Sequence, residues 1–247
     1  MITLAHLSDL HLDGGPHCAA RAARVAEYLA GLPGTVDAIV VSGDITDSGA
    51  IADYAAALEF AAALPAPVLF CPGNHDDRTA FAGVLLGRDG HDGPVNQAWQ
   101  VAGASILLCD STIPGQSAGA LGPDTLAWLD ETLAGGPADR PAFVVMHHPP
   151  VPLGVPGIDA IGLRDADELA AVLSRHPRVA ALLCGHAHTA AASTFADIPL
   201  RVAPGVKSTL MLPWERTPES MMDFDLPVAL AFHGYANGLL TTHFRAL

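Results

Sequence analysis

Five short clusters of histidine, aspartate and asparagine residues are spread over the first three quarters of the chain. Each cluster follows a short apolar run of the kind that forms a buried β-strand. The clusters are Ser8-Asp9-Leu10-His11, Ser42-Gly43-Asp44, Pro72-Gly73-Asn74-His75-Asp76, His147-His148-Pro149-Pro150 and Gly185-His186-Ala187-His188. Ligands collect at the carboxyl ends of the strands in open α/β sheets, so we expect these side chains to meet at one edge of a sheet.

The side chains in these clusters are typical ligands of metal ions. Imidazole and carboxylate groups together suit transition metals such as Mn, Fe, Co or Zn, and the lack of thiolates in the set argues against a structural zinc site. The candidate ligands are Asp9, His11, Asp44, Asn74, His147, His186 and His188. They are numerous enough for two divalent or trivalent ions. The Asp-x-His and His-x-His spacings let two side chains reach one point from an extended turn.

Each cluster by itself is weak evidence. A single Asp-x-His usually lies on the surface in contact with water, a single Gly-Asp is usually a turn, and a His-Pro is usually a loop histidine that is already hydrogen-bonded. All five occurring at strand ends is hard to explain by chance. Gly43, Gly73 and Gly185 precede candidate ligands, where we expect the backbone to bend sharply without a Cβ.

The elements that must position these clusters alternate along the chain as strand and helix. The candidate strands are residues 3–7, 38–41, 68–70, 105–109, 142–146 and 180–184. The candidate helices are residues 19–30, 51–64, 78–86, 123–133 and 165–175. Pro123 suits a first helical turn, and the Asp-rich turn before Arg78 suits an N-cap. This order predicts a layered α/β fold with buried sheets.

The last part of the chain has a different pattern. Residues 200–203, 228–233 and 239–244 read as strands with no helices between them, and Asn237-Gly238 is a hairpin signal. We therefore expect a second sheet packed on the first. Residues 204–227 are irregular, and two interpretations are open: a surface loop packed by its own side chains, or a wall of the substrate pocket or an oligomer contact.

The amino-acid composition and net charge limit the kinds of protein that this chain can be. The 247 residues are half apolar and 15% charged, which is typical of a compact globular chain, and we find no break within residues 1–247 and expect one domain. The net charge of −14 argues against duplex DNA or RNA as a partner, because affinity for nucleic acid comes from Lys and Arg. A local cluster of cations can still hold a small anion.

We expect neither a membrane span nor a secretion signal. No uninterrupted apolar run is long enough to span a bilayer, and the N-terminus enters a strand pattern at once without a basic leader. The cysteines, Cys18, Cys71, Cys109 and Cys184, form no close pairs. They are expected to be buried free thiols in a reducing compartment, so we expect a cytoplasmic location.

At this level of detail the sequence resembles the calcineurin-like metallophosphoesterases. Their pattern is Asp-x-His, Gly-Asp, Gly-Asn-His-Asp/Glu, His and Gly-His-x-His, and every element is present in order from Asp9 to His188. Within the superfamily the chain is most similar to the class III cyclic nucleotide phosphodiesterases and their glycerophosphodiesterase relatives. The residues that carry this likeness are Gly73-Asn74-His75-Asp76-Asp77-Arg78, His147-His148-Pro149-Pro150 and Leu163-Arg164-Asp165.

The resemblance implies a fold, a set of roles and a reaction. The fold is a four-layer α/β/β/α sandwich of two mixed sheets flanked by helices. One metal ion would be held by Asp9, His11, Asp44 and His188, and the other by Asp44, Asn74, His147 and His186, with Asp44 as the bridge. His75 would contact the phosphate and protonate the leaving oxygen as the catalytic residue.

The implied reaction is hydrolysis of a small phosphodiester by a hydroxide between the metals. The expected substrate is a cyclic nucleotide such as 3′,5′-cAMP. The alternatives are a broader phosphodiesterase or phosphomonoesterase, acting on glycerophosphodiesters or 2′,3′-cyclic nucleotides, and a non-catalytic scaffold that binds a protein partner. Relatives of this group often assemble, so the resemblance leaves a homo-oligomer open.

At several positions the sequence differs from those of related subfamilies. Protein Ser/Thr phosphatases carry Arg-Gly after the second Asp, purple acid phosphatases carry a ligand Tyr where this chain has Asp47, and lipid A pathway hydrolases carry Arg where it has His75. Among the other histidines we expect His6 in the core and His17, His91, His176, His233 and His243 in structural or solvated positions. His148, Asp76 and Asp110 are candidates for orienting the metal ligands.

Overall fold

A computed structural model of the protein describes residues 1–215 and 221–247. Its strands are β1 (Ile2–Leu7), β2 (Ala38–Ser42), β3 (Val68–Cys71), β4 (Gln97–Val101), β5 (Ala104–Leu108), β6 (Ala142–Val145), β7 (Val179–Cys184), β8 (Ala191–Phe195), β9 (Ile198–Val202), β10 (Thr209–Leu210), β11 (Met222–Asp223), β12 (Ala229–Ala236) and β13 (Leu239–Ala246). Its helices are α1 (Pro16–Ala30), α2 (Ile51–Ala62), α3 (Arg78–Leu86), α4 (Gly122–Gly135), α5 (Pro156–Asp159) and α6 (Ala166–Leu173).

Two mixed sheets form the centre of the fold. The first has the strand order β13-β12-β1-β2-β3 and the second has β4-β5-β6-β7-β9-β8. Within the first sheet β1, β2 and β3 are parallel, and β12 and β13 are antiparallel. Within the second sheet β5, β6, β7 and β9 are parallel, and the edge strands β4 and β8 are antiparallel. The parallel strands of both sheets thus carry the loops that hold the clusters.

Three apolar layers show how the sheets and helices pack. Between the sheets, Leu4 and Val40 of the first sheet belong to one core with Ile106, Phe143 and Leu183 of the second. The opposite face of the first sheet packs on α1, α2 and α3, and the opposite face of the second packs on α4 and α6. Because side chains alternate along a strand, each buried strand contributes to two of these layers. The predicted α/β/β/α sandwich is confirmed.

Local signals explain where several elements begin and end. The Asp77 side chain caps α3 by accepting a hydrogen bond from the Ala80 backbone N–H at 2.8 Å, as the Asp-rich turn predicted. Asn237 and Gly238 have φ values of 52° and 79° between β12 and β13. Two successive residues with positive φ form the hairpin turn that an Asn-Gly pair favours.

The second sheet is confirmed, but the last two strands of the chain do not build it. β12 pairs antiparallel with β1, so the terminal hairpin extends the first sheet instead. The sequence also gave no indication of β4, β8, β10, β11 or the short helix α5. β4 and β8 lie at sheet edges, and their residues are mostly polar or small and only partly buried. They therefore lack the apolar runs that mark the central strands.

The irregular stretch of residues 204–227 contains the short strand pair β10–β11. Residues 216–220 of this stretch lie outside the described part. No helix within residues 1–215 and 221–247 has both the length and the apolar character needed to cross a lipid bilayer.

Candidate metal centre

The candidate ligands lie in loops that follow β1, β2, β3, β6 and β7, where the two sheets meet at one edge. Backbone hydrogen bonds join these loops to one another. Asp9 N donates to Gly43 O at 3.1 Å, His11 N to Asp44 O at 2.9 Å, and Gly185 N to His147 O at 3.0 Å. The strand ends therefore hold the loops in register.

One group of potential ligands is formed by Asp9, His11, Asp44 and His188, which are all buried and offer ligand atoms within 4.8 Å of one another. The Nε2 atoms of His11 and His188 are 3.1 Å apart. Asp44 Oδ2 is 3.4 Å from His11 Nε2, and Asp9 Oδ1 is 3.4 Å from His188 Nε2. This group is called the first half of the centre.

A second group lies on the other side of Asp44. His147 Nε2 is 3.3 Å from Asp44 Oδ2 and 3.3 Å from His186 Nδ1. The loop that carries Asn74 reaches the same carboxylate, because the backbone N–H of the adjacent His75 donates to Asp44 Oδ1 at 2.9 Å. His147, His186 and Asn74 are called the second half, and Asp44 Oδ2 contacts imidazole nitrogens of both halves.

Glycines allow the loops to approach one another closely. The expected sharp backbone bend is found at only one of the three glycines. Gly43 has φ +98°, which confirms a backbone bend there, and an added Cβ would collide with the His147 ring. Gly73 and Gly185 do not have positive φ. An added Cβ would instead collide with Asp44 at Gly73 and with Ser8 at Gly185. Close packing of the loops, rather than a bend, requires glycine at those two positions.

The backbone of the candidate ligands is itself unusual. Among the described residues, five of the nine non-glycine residues with positive φ are candidate ligands. They are Asp9, His11, Asp44, His186 and His188, with φ between 43° and 70°. A left-handed conformation costs an ordinary residue about 1–2 kcal/mol, and such strain concentrates at functional sites. The loops therefore adopt backbone conformations that position these side chains, at a cost in backbone conformational energy.

Outer hydrogen bonds orient the imidazole rings. His147 donates from Nδ1 to the carbonyl of Ser42 at 2.8 Å. His11 donates from Nδ1 to Asp47 Oδ1 at 3.0 Å, and His188 Nδ1 is 2.9 Å from Ser208 Oγ. In each ring Nδ1 is engaged outside the group, so that Nε2 is the nitrogen that faces the centre of the group.

Burial and crowding control the protonation of these rings. Burial lowers the pKa of His11 to about 4, and burial together with neighbouring His147 and His148 lowers the pKa of His186 well below its ordinary value. Burial opposes the charge on His147 too, but the Asp44 carboxylate raises the pKa of His147 to about 9. Burial likewise disfavours ionised Asp44, yet His147 and His11 hold the pKa of Asp44 well below 3.8. His11 and His186 are therefore held in the neutral form that binds metals, whereas Asp44 favours the charged form of His147, which must release a proton to bind one.

His75 differs from the candidate ligands in its environment. It is exposed, and its ring packs edge-on against that of His11 with centroids 4.6 Å apart. Its Nδ1 donates to the backbone carbonyl of Asp47 at 2.8 Å. Only Nε2 of this exposed ring is therefore available to exchange a proton with another molecule.

His148 is buried beside the second half, but both of its ring nitrogens are engaged. Nδ1 lies 2.8 Å from Ser111 Oγ and Nε2 lies 3.2 Å from the Ser117 carbonyl. Burial lowers the pKa of His148 to about 3. Its ring stacks near His186 at a centroid distance of 4.7 Å, so it packs against a candidate ligand without offering a free nitrogen of its own.

Asp76 and Asp110 hold loops in place. Asp76 accepts hydrogen bonds from the backbone N–H groups of Gly73, Ile45 and Thr46, so it joins the Asn74 loop to the Asp44 loop. Asp110 forms an ion pair with Arg78 at 2.7 Å.

The other histidines have partners outside the candidate ligand set or are exposed. His6 and His233 are buried and paired between the sheets. His17 and His91 contact backbone carbonyls, His176 contacts Asp130, and His243 is exposed.

The residues present fit bound cations. Of five buried side-chain N or O atoms in the described residues that lack a hydrogen-bond partner, four belong to candidate ligands. They are both carboxylate oxygens of Asp9, Oδ1 of Asn74 and Nε2 of His186. An unpaired buried polar atom costs about 1–3 kcal/mol. Electron-rich oxygens without donors, next to neutral imidazoles, match the needs of divalent transition metals.

Comparison with known proteins agrees with this geometry. Residues 2–190 match the calcineurin-like phosphoesterase family. Over 210 residues the chain is 40% identical to a probable cyclic nucleotide phosphodiesterase of Rhodococcus erythropolis, covering 81% of this chain and 69% of that protein. This chain belongs to the calcineurin-like phosphoesterase family. The family is metal-dependent and binuclear, and the clustered His and Asp groups described above agree with this.

Two further proteins are similar to this chain, one in sequence and one in fold. A glycerophosphodiester phosphodiesterase, GpdQ, of Enterobacter lignolyticus is 34% identical over 216 residues, covering 81% of this chain and 76% of that protein. Among solved structures, a dimetal phosphatase from Danio rerio has a TM-score of 0.70 at 15% identity and covers 99% of this chain and 96% of that one. The structural likeness shows the shared fold.

Sequence reasoning missed the groups that orient the ligands. The residue types and spacing do not indicate this role for Asp47, Ser208 or the Ser42 carbonyl, nor for Lys207, which contacts Asp47. One signal was present, because Lys207 is the only lysine in the 247-residue sequence.

Proposed function

We propose that this calcineurin-like protein is a binuclear metal-dependent hydrolase of a small phosphodiester, a cyclic nucleotide such as 3′,5′-cAMP, with residues 1–247 acting as one domain. One observation carries the proposal. A single carboxylate oxygen, Asp44 Oδ2, lies 3.4 Å from His11 Nε2 and 3.3 Å from His147 Nε2. A carboxylate shared by two groups of metal-type ligands is the arrangement that a pair of cations requires.

The ligand sets follow from the two halves. Asp9, His11, Asp44 and His188 would hold one ion, and Asp44, Asn74, His147 and His186 would hold the other. When bound, two divalent cations supply Lewis-acid charge and lower the pKa of a water molecule enough for it to attack near neutral pH. With two divalent ions bound, the Asp9 and Asp44 carboxylates would leave about two units of positive charge at the site. This charge would attract a phosphate within a protein of net charge −14.

His75 is proposed to protonate the leaving oxygen. Its Nδ1 proton is held by the Asp47 carbonyl, so the imidazolium donates from Nε2 and the neutral ring is left with its proton on Nδ1. The ring is exposed next to His11, at the side from which a substrate approaches. A positioned proton donor of this kind contributes about 10²–10⁴-fold to turnover.

The substrate class rests on the relatives. The Rhodococcus relative is named as a cyclic nucleotide phosphodiesterase, and a relative in Mycobacterium tuberculosis, 36% identical over 211 residues, is named as a cAMP/cGMP dual specificity phosphodiesterase. The GpdQ relative supports glycerophosphodiesters as the second candidate. The free buried cysteines fit a reducing compartment and hence a cytoplasmic location. Homo-oligomer formation stays a prediction.

A substrate panel with defined metals tests this proposal. Metal-free protein is reconstituted with Mn²⁺, Co²⁺, Zn²⁺ or Fe²⁺ and assayed on 3′,5′-cAMP, 2′,3′-cAMP, glycerophosphocholine and bis-p-nitrophenyl phosphate. We expect chelator-sensitive turnover with the highest kcat/KM on 3′,5′-cAMP. Preference for glycerophosphocholine would select the second candidate. Two bound metals with no turnover on any diester would contradict the proposal and leave a scaffold role.

A further inference from the structure

A short segment beyond the family-matched region contacts the first half of the centre. Residues 205–210, called the outer strap, follow β9 and run beside the first metal loop. Val206 N donates to Ser8 O at 2.9 Å, Lys207 N to Asp9 O at 3.0 Å, and Leu210 N to His188 O at 3.1 Å. The strap is thus attached by its backbone to the loops that carry two candidate ligands, Asp9 and His188.

Ser208 of the strap acts on one imidazole of the first half. Its side chain is fully buried, and its Oγ lies 2.9 Å from His188 Nδ1. With Nε2 of His188 facing Asp9 and His11, Nδ1 carries the proton and donates to the Ser208 hydroxyl. This bond holds the plane of the His188 ring.

Lys207 acts on the other imidazole through Asp47. Its Nζ is 2.8 Å from Asp47 Oδ1 and 3.6 Å from Asp13 Oδ2. The same Asp47 oxygen accepts the Nδ1 proton of His11 at 3.0 Å. The ammonium therefore holds the carboxylate in place while the carboxylate holds His11. Because Lys207 is already paired with two carboxylates, little of its charge is left for a substrate phosphate.

The second half has no such dependence on the strap. The outer nitrogen of His147 is bonded to the backbone carbonyl of Ser42, at the end of β2. His148, which packs on His186, is held by Ser111 and the Ser117 carbonyl. Within residues 1–215 and 221–247, no hydrogen bond or ring contact joins a side chain of the strap to His147 or His148.

We propose that Lys207 and Ser208 are positioning residues that set the affinity and geometry of the first half alone, so that the two metal sites have separately adjustable affinities. The inference rests on the proposed function, since it takes the two halves to be metal sites. Loss of an outer partner of a metal-binding histidine commonly lowers metal affinity by about 10–100-fold.

Titration of metal-free protein with Mn²⁺, followed by calorimetry, tests the inference. The variants are Lys207→Met and Ser208→Ala. Arg175→Met is the matched control, because Arg175 pairs with Asp130 on the far side of the second sheet. We expect wild type and the control to bind two Mn²⁺. Each strap variant should weaken one binding event about 10–100-fold and leave the other within about twofold.

Two backgrounds identify which ion is weakened. In His186→Ala, where the first half remains intact, we expect Lys207→Met and Ser208→Ala to weaken the remaining Mn²⁺. In His188→Ala, where the second half remains, the same changes should have no further effect. Lys207→Arg keeps the charge and should bind within about threefold of wild type. If Lys207→Arg loses as much affinity as Lys207→Met, packing rather than the ion pair is responsible and the inference is wrong.

The outcomes separate the inference from the proposed function. If wild type binds two Mn²⁺ and both strap variants titrate like it, the inference fails and the proposed function stands. If wild type binds no Mn²⁺, the proposed function itself fails. Should Lys207→Met not fold, as judged by circular dichroism, Ser208→Ala decides the result, because it removes only a hydroxyl group.

Discussion

The two halves of the candidate metal centre are supported in different ways. In the first half, the outer nitrogens of His11 and His188 are bonded to side chains, Asp47 and Ser208. In the second half, the outer nitrogen of His147 is bonded to a backbone carbonyl at the end of a buried strand. A backbone carbonyl is present whatever the side chain at that position. The support of the second half is therefore part of the backbone fold, whereas the support of the first half depends on the identity of two side chains.

The two halves also differ in the parts of the chain that support these outer partners. Ser42, whose carbonyl orients His147, has its hydroxyl 2.8 Å from His6 Nε2, and His6 is paired with His233 between the sheets. The second half is thus backed by the interior of the sandwich. The strap behind the first half lies at residues 205–210, beyond the family-matched residues 2–190. The difference predicts that changes to one half can leave the other intact.

The largest effect is expected where the two halves meet. Asp44→Asn keeps the shape of the side chain but removes the charge that both halves share. We expect kcat/KM on bis-p-nitrophenyl phosphate to fall by at least about 10³-fold, since removal of one well-placed electrostatic group alone costs about 10²–10³-fold. Asp89→Asn, at an exposed loop position, is the control. More than a tenth of wild-type activity in Asp44→Asn would show that the halves do not share this carboxylate.

His75 belongs to neither half, and its removal should spare both. We expect His75→Ala to lower kcat on 3′,5′-cAMP by about 10²–10⁴-fold, because the alkoxide leaving group needs a proton. On bis-p-nitrophenyl phosphate the loss should be much smaller, because p-nitrophenolate leaves without one. Elemental analysis should still find two metals per chain.

The exposed His243→Ala variant is the control for His75. Loss of the metals from His75→Ala, or equal losses of kcat on the two substrates, would assign His75 a structural rather than a catalytic role.

One added methyl group can be directed at either half. In Gly43→Ala the Cβ would collide with the His147 ring, and in Gly205→Ala it would lie 2.8 Å from His188 Nδ1. We expect each variant to weaken a different Mn²⁺ by about 10–100-fold, as loss of ligand orientation commonly does. Calorimetric titration in the His186→Ala and His188→Ala backgrounds identifies the ion affected.

Gly34→Ala is the control for both glycine variants, because nothing lies within 4 Å of its added Cβ. If Gly43→Ala and Gly205→Ala weaken the same ion, the halves are not independently supported.

The smallest effect concerns the interior behind the second half. Burial lowers the pKa of His233 to about 3, so the folded protein keeps this ring neutral while the unfolded chain, with a pKa near 6.5, takes up a proton. The stability that this provides is complete above pH 6.5 and is lost as pH falls toward 3. Between pH 7.5 and 5.5 the loss amounts to about 1.4 kcal/mol for one histidine.

His233→Gln should lose about 1.4 kcal/mol less than wild type over that pH interval, measured as the free energy of unfolding in urea. Any effect of acid on metal binding is common to both proteins and cancels in the difference. Equal pH dependence would mean that His233 is protonated in the folded state, and the interior would then not be the neutral support described above.

Much of the candidate site could be predicted because its residues follow strands directly. Each cluster begins within a few residues of the end of a strand, so its position follows from the strand alone. Asp9, His11 and Asp44 are therefore expected at one edge of a sheet, and the structure brings them together. Ring orientation was not predictable in this way. Lys207 and Asp47 are separated by 160 residues, and His6 and His233 by 227. Serine and lysine also occur widely on surfaces, so their types alone do not indicate such contacts.

The sequence by itself determined the chemistry of this protein and its layered architecture. Donor types and spacing are properties of short segments, and apolar runs define the buried strands whatever their partners are. Only the tertiary structure decided that the terminal hairpin joins the first sheet, that Asp44 lies between two groups of ligands, and which atoms orient each ring. Those outcomes depend on contacts between distant segments, which form only when both sheets pack together.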